Sequence, residues 1–540
     1  MRHLSFQYLM KYNKFFSYFS IFISIFLIFI TFWVVETYHN NATLNAIIFH
    51  LTMPLDGINP IFYKRFILYC LLPSIFVLIC SIYFFTPTII LCIILSITII
   101  IFGFDNIIAM FKTIEVIYYK SFLFSDDFIF SYLIKLTIFI LVLGMIIYMI
   151  YKISSHIKEI KKYYAYIFCI LALYCVNKHF NTIGFFTKEY SLLYEQHYKI
   201  PSDLQSNKPR NLILILAESM ESTYADEWER AKGEKNLIPN LYNIALKNIY
   251  FSNNKNFGGI YQVNNTSWTI AGTISYLCGV PLSLPIDSSV IFGDRYINRT
   301  EFLPHLTCIS DILKQNNYNQ MAFIGYESSF AGSKYFFASH NIDILDEGYF
   351  KKYGEIKYGY WGIKDSLIFK FAKQYLKDYK SNKPFVLYIP TVDTHYPGGF
   401  TDKQYCGNLD NNLTDAIKCS DKIINDFISW VKKQDFYNDT TIIILGDHLS
   451  AFSYNYKNRN IYNAFINAKF STTPSKDLLI NRKLSHFDIT PLILDSIGFK
   501  VESFGLGRNP LYGKTLLEEY GLDEINKLIT LDSKVYESFL

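Results

Sequence analysis

The chain has no tract of clustered lysine and arginine with interleaved aromatic residues, and its formal net charge is only +5 over 540 residues. The electrostatic footprint of a nucleic-acid binder is therefore missing, and no nucleic-acid partner is expected. Internal repeats and long low-complexity segments are absent, which argues against a solenoid or a disordered array. No close C-x-x-C spacing occurs among the nine cysteines, which argues against a zinc cluster. The glycine-rich Phe504-Gly505-Leu506-Gly507-Arg508 has no following P-loop lysine, so it is a weak phosphate signal, with Arg508 as its one cationic donor. Charged residues make up only 18%, against 51% hydrophobic and 18% aromatic, a balance too apolar for an ordinary soluble protein. The abundance of Phe and Tyr, with Ile, Asn and Lys, has the look of a nucleotide-composition bias, and it inflates apparent β-propensity.

The apolar residues are concentrated before about residue 180. Five runs there, 19–35, 66–85, 88–104, 130–151 and 164–176, approach or reach the roughly 20 residues that a bilayer span needs. Lys135 lies near one end of the fourth run, where it can snorkel. Arg2, Lys11 and Lys14 precede the first run, and Lys152, Lys158, Lys161 and Lys162 lie between the fourth and fifth. With five spans both groups fall on one side, the cytoplasmic one; Lys64 and Arg65 run against this. No small-residue cleavage site follows the first run, so it reads as uncleaved. The expected organisation is a transmembrane domain at 1–180, a polar linker at 181–210 and an extracytoplasmic domain at 211–540. Cys278, Cys308, Cys406 and Cys419 fall in the exported part, an even number that suits an oxidising compartment. The simplest pairing is Cys278–Cys308 and Cys406–Cys419, one of three connectivities.

In the exported part, continuous apolar runs at 211–216, 321–324, 385–389 and 441–445 fit buried parallel strands. Helical patterns lie between and after them at 239–247, 266–277, 309–315, 365–379, 415–432 and 487–497. Alternation of this kind argues for an α/β layered domain, whose chemistry sits at the carboxyl ends of its strands. Three strand ends carry Glu218, Asp393 with His395, and Asp447 with His448. Carboxylates and histidines gathered at one edge describe a zinc or manganese site. Glu218 could instead cap the next segment, and His395 could be an ordinary loop histidine. Ser485-His486-Phe487-Asp488 reads as a helix cap in which His486 is a further possible ligand.

The stretch Asn264-Asn265-Thr266-Ser267 leads into an apolar helical pattern. Thr266 reads either as an N-cap or as a nucleophile at a helix N-terminus, where a phosphate would be held.

Taken together these residues resemble the sulfatase-like branch of the alkaline phosphatase superfamily, and within it the membrane phosphoglycerol transferase I / lipoteichoic acid synthase family. The resemblance runs in order through Asn211–Tyr224, Asn265–Gly272, Cys278–Leu282, 308–313, 330–332, Ser339-His340, Thr391–Pro397, Gly446–His448 and Gly505–Arg508. It implies an alkaline-phosphatase-like α/β catalytic domain behind an α-helical transmembrane bundle of about five spans. Glu218, Thr266, Asp447 and His448 match the family's ligands for one divalent ion, Mn2+ or Zn2+, with Thr266 also the nucleophile. His395 matches the histidine that contacts the substrate phosphate. The implied reaction moves phosphoglycerol from a phosphatidylglycerol donor to a periplasmic glycan or glucan acceptor, with the protein in the inner membrane and its catalytic domain in the periplasm. Where lipoteichoic acid synthases carry Trp and Arg, this chain has Ala331-Gly332-Ser333, and Ser329 stands where phosphoglycerol transferase I has Arg. Trp361, Lys334, Lys364 and Arg508 are the replacement candidates for holding substrate. Competing readings are phosphoethanolamine transfer to lipid A or a glycan, a sulfatase or phosphodiesterase, and a non-enzymatic membrane sensor. Ser267-Trp268-Thr269-Ile270-Ala271 lacks the arginine of a formylglycine motif, which argues against a sulfatase activity.

Overall fold

The computed structural model describes residues 189–540, except 203, 207, 226–235, 284–300, 329, 397 and 451–457; before them it describes 19, 21–29, 74–75 and 163–180. The second, third and fourth apolar runs thus lie wholly or almost wholly outside the described residues, whereas residues 19 and 21–29 of the first are described, as helix. The fifth falls on helix α1 (Tyr163–Phe180), on which Ile170, Leu173 and Tyr174 are exposed. Among the described residues no helix is long and apolar enough to cross a membrane. The chain divides into two compact units, and the second holds Lys188–Leu540.

That second unit is built on six strands: β1 (Asn211–Ala217), β2 (Asn319–Phe323), β3 (Asp343–Leu345), β4 (Phe385–Pro390), β5 (Thr440–Gly446) and β6 (Asn463–Ile466). They lie in the order β3-β2-β4-β1-β5-β6, and all neighbours are parallel except the β5–β6 pair. β1 is central because its Leu and Ile residues are buried on both faces, as a strand covered on two sides requires. Its register pairs Leu216 with Pro390 of β4 and with Leu445 of β5, so the three strands end together.

Ile213, Ile215, Leu387, Ile389, Ile442 and Ile444 share a core with α2 (Pro239–Leu246), α6 (Asp365–Asp378) and α7 (Leu413–Val431). α7 buries Leu413, Ala416, Ile417, Ile424, Phe427, Ile428 and Val431, the 3.6-residue spacing of an amphipathic helix. Asn412 caps it by accepting the Asp415 N–H at 2.9 Å. Between α2 and α6 the chain forms α3 (Thr269–Cys278), α4 (Ile309–Gln315) and α5 (Ser333–Ser339). α8 (His486–Ser496) opens on a Ser485–Asp488 capping box and packs against α3.

Three features depart from expectation. β3 and β6, of three and four residues, were not anticipated as strands. Helix α3 begins at Thr269, with Trp268 as N-cap, so Thr266 precedes the helix by three residues. The linker is docked: Tyr190 bridges to Asp532, Lys199 bridges to Gly505, and Leu193–His197 is a short helix with Leu193 and Tyr194 buried. Those two apolar side chains gain by covering the C-terminal segment, where Tyr194 meets Tyr536 at 5.4 Å.

Candidate metal centre

The chain leaves β1 at Ala217 and places Glu218 and Ser219 at the sheet edge. Ser219 adopts φ +53°, a left-handed conformation that costs a serine about 1–2 kcal/mol. The turn lets the Ser219 N–H donate to Asp447 Oδ1 at 2.7 Å while its hydroxyl donates to Glu218 Oε1 at 2.7 Å. One residue thereby ties the ends of β1 and β5 together.

Glu218 is held from every side. Its N–H donates to the Thr391 hydroxyl at 2.9 Å, and its carbonyl accepts from Thr394 at 2.6 Å. Oε2 accepts from the Thr269 hydroxyl at 3.2 Å, which brings the first turn of α3 to the site. Asp447 is held as firmly. Its Oδ1 also accepts the His448 N–H at 2.8 Å, and its carbonyl accepts from His486 Nε2 at 2.8 Å. The Tyr276 hydroxyl donates to the neighbouring Gly446 carbonyl at 2.7 Å. α3 comes this close because Gly272 faces Asp447; a Cβ there would lie 2.2 Å from the Asp447 carbonyl oxygen.

What is left over defines a cation site. Asp447 Oδ2 is buried and, among the described residues, has no hydrogen-bond partner. His448 Nδ1 lies 3.1 Å from the Leu449 carbonyl, which can only accept, so Nδ1 carries a hydrogen and Nε2 is the nitrogen left to face the two carboxylates. Nε2 stands 3.4 Å from Glu218 Oε1 and 3.6 Å from Asp447 Oδ2. One ligand atom from each of the three residues lies within 4.8 Å of the others. Burial, and then the charge of Glu218, push the Asp447 carboxyl well above the usual range. Burial works against a charged His448, but Asp447 and Glu218 outweigh it and raise its pKa. Two carboxylates crowded in a dry site, with an imidazole nitrogen beside them, fit a divalent ion, which would take the place of the proton they share.

Of the residues expected at the site, Glu218, Asp447 and His448 are thus brought together. Thr266 is fully buried on the approach to α3, after Asn265 at φ +63°, and its hydroxyl donates to the Val263 carbonyl at 2.7 Å rather than accepting as a helix cap. His395 packs against Trp361 with ring centroids 4.1 Å apart and the planes tilted by 40°. His395 Nδ1 and Trp361 Nε1 are both buried without a partner among the described residues. Burial, reinforced by His448, lowers the His395 pKa to about 4, so the ring is neutral at pH 7.

Other candidates are already engaged. Asp393 accepts the Asp365 N–H at 2.9 Å and stays out of the cluster. Lys364 pairs with Asp402 at 3.2 Å and lies over the Phe400 ring. Arg508 pairs with Glu519 at 2.8 Å and meets His197 at 3.1 Å, in the C-terminal segment that covers the linker. Lys334 is exposed at the start of α5. His486 supports the Asp447 backbone instead of facing the cluster. Cys278–Cys308 and Cys406–Cys419 are both disulfides. Tyr326, just past β2, was not singled out from sequence; burial raises its pKa to about 12 against the lowering effect of its bond to Ser333, and the charges of Asp447 and Glu218 add to the rise.

The sulfatase family model matches residues 210–498, more than half of the chain and all the strands of this sheet. The chain belongs to the sulfatase family. Phosphoglycerol transferase I of Salmonella choleraesuis is 32% identical over 340 residues, which cover 60% of this chain and 42% of that protein. The Citrobacter koseri protein of the same name is 30% identical over 347 residues, 62% of this chain and 43% of its own length. The chain therefore spans less than half the length of these relatives. Among solved structures, lipoteichoic acid synthase LtaP from Listeria monocytogenes is similar at TM-score 0.43 and 17% identity, covering 59% of this chain and 79% of that one. An alkaline phosphatase superfamily protein from Vibrio parahaemolyticus has the same TM-score, 20% identity, and coverage of 60% and 76%.

Proposed function

We propose that this protein is a metal-dependent phosphotransferase that moves the phosphoglycerol head group of phosphatidylglycerol to a glycan or glucan hydroxyl. The carrying observation is the buried, unpartnered Asp447 Oδ2, with His448 Nε2 at 3.6 Å from it and 3.4 Å from Glu218; Thr266 lies three residues before the helix whose Thr269 reaches Glu218. The relatives named phosphoglycerol transferase I support the choice of head group over phosphoethanolamine.

Glu218, Asp447 and His448 would hold one divalent ion, Mn2+ or Zn2+, with Thr266 completing the set. Such an ion lowers the pKa of a nearby hydroxyl and offsets phosphoryl charge. The chain's own residues do the rest. Thr266 Oγ attacks the phosphorus, the bond to the diacylglycerol oxygen breaks, and diacylglycerol leaves with a proton. The phosphoglycerol is then esterified to Thr266. An acceptor hydroxyl attacks the same phosphorus in turn, loses its proton and frees Thr266, so one hard transfer becomes two displacements. The neutral His395 and the Trp361 indole N–H are unspent polar groups that would meet phosphoryl oxygens in this reading. In this reading residues 1–180 anchor the enzyme in the inner membrane beside its lipid donor, and residues 211–540 work in the periplasm. The two disulfides suit that oxidising side.

The test is diacylglycerol release by the full chain from phosphatidylglycerol micelles with manganese or zinc. Release by the native chain, and none by Thr266→Ala, is expected. Equal release by both would remove Thr266 from the reaction.

A further inference from the structure

The carboxyl end of β2 reaches the same sheet edge as Glu218 and Asp447. β2 pairs with β4 and β4 with β1, all parallel, so Ile324-Gly325-Tyr326 emerge beside the 391–396 loop that carries His395. The 361–363 turn sits directly on this segment. The Ile363 N–H donates to the Gly325 carbonyl at 2.7 Å, and a Cβ on Gly362 would lie 2.4 Å from that oxygen and 3.0 Å from the Tyr326 Cα. Trp361 in the same turn packs against His395. Tyr326, Trp361 and His395 are therefore neighbours along one wall.

The Tyr326 hydroxyl donates to Ser333 Oγ at 3.2 Å, and Ser333 is 2% exposed at the start of α5. That leaves the Tyr326 oxygen free to accept and the Ser333 hydrogen free to donate. An acceptor beside a donor is the pattern that a vicinal diol satisfies.

The carboxylates around this wall are braced by hydrogen bonds. Asp393 accepts from the Asp365 N–H, and Asp365 accepts from the Val392 N–H at 2.9 Å and the Asp393 N–H at 3.1 Å. Asp402 holds Lys364 and the Ser366 hydroxyl. Glu218 and Asp447 belong to the cation cluster. Of these five carboxylates Asp402 has a lysine partner, and Asp365 and Asp393 are buried and face backbone N–H donors. Glu327, next to Tyr326, is exposed.

We propose that the Tyr326–Ser333 hydroxyl pair reads the head group of the donor lipid and selects a neutral polyol over an ammonium. This rests on the phosphotransfer reading above. Tyr326 and Ser333 are specificity-determining residues here, in the region where the family's Trp and Arg are missing.

The experiment is competition. The full chain, in mixed micelles of equal phosphatidylglycerol and phosphatidylethanolamine, is assayed for the head group transferred. Tyr326→Phe and Ser333→Ala are each expected to lower kcat/KM for phosphatidylglycerol about tenfold, the size of one lost neutral hydrogen bond. Turnover of phosphatidylethanolamine should stay within about twofold, so the selectivity ratio falls about tenfold. Glu327→Gln should leave the ratio unchanged. A wild-type ratio in both folded hydroxyl variants, or a tenfold fall in Glu327→Gln alone, overturns the proposal and leaves the parent reading standing. A native chain that turns over neither lipid overturns both.

Discussion

The two halves of the candidate site are built differently. On the cation side nearly every polar atom is spoken for. Glu218 is held by four hydroxyls, and Asp447 by two N–H groups and an imidazole, with one carboxylate oxygen and one imidazole nitrogen left over. On the head-group side His395 Nδ1 and Trp361 Nε1 are buried and unspent, and the Tyr326–Ser333 pair is half-used. Leaving a buried polar group unpaired costs about 1–3 kcal/mol, which a ligand that met these groups would recover. The first half is braced and the second carries unspent groups; in the proposed function an ion completes the one and a head group the other.

The largest expected effect breaks the cation side outright. Asp447→Asn should abolish divalent binding and lower turnover by at least about 10³-fold, because a preorganised charge is lost from a dry site. Calorimetric titration with manganese and zinc checks the first part, and diacylglycerol release the second. Chelation of the native chain tests the same half without mutation. Turnover should stop and return on adding manganese or zinc. The thermal midpoint should also fall, since an ion at a hundredfold excess over its Kd stabilises by about 2.7 kcal/mol.

Thr269→Val probes the bracing rather than the ligands. It removes the donor to Glu218 Oε2 and should weaken metal binding about tenfold, with little change in affinity for the lipid. An unchanged metal affinity would mean that the hydroxyls around Glu218 are incidental.

A site far from both halves supplies the control. Asp421 accepts the Asn240 and Leu241 N–H groups at the start of α2. Asp421→Ala should cost about 1–3 kcal/mol of stability and leave turnover intact. Burial raises its pKa from 3.8 to about 6. Between those values the folded chain holds a proton that the unfolded chain has lost, so this group's contribution falls as pH rises from about 4 to 6 and is flat above. Denaturant titrations across that window should lose this slope in Asp421→Asn.

The sequence was legible where chemistry followed directly on a strand. Asn211–Ala217 and Thr440–Gly446 are continuous apolar runs because both faces are buried, and the charged residues after them stand out. Asn463–Ile466 hides in four residues at the sheet's edge, too short for a period to show. Tyr326 was missed for a compositional reason: in a chain with 44 tyrosines, one more after a strand carries no contrast. The start of α3 was misplaced because Thr266, Ser267 and Thr269 are all acceptable helix starters, and tertiary contact with Glu218 puts Thr269 there. Arg508 drew attention through its glycines, whose φ +63° at Gly505 serves the β7 (Ser503–Phe504) to β8 (Gly507–Arg508) turn instead.

The central claim is that Thr266 carries the phosphoryl group between donor and acceptor. The direct measurement is mass spectrometry of the peptide bearing Thr266, after the full chain has met labelled phosphatidylglycerol and phosphatidylethanolamine without acceptor. The account predicts a phosphoglycerol adduct on Thr266, absent from Asp447→Asn. A phosphoethanolamine adduct, or an adduct on another hydroxyl such as Thr269, would contradict it.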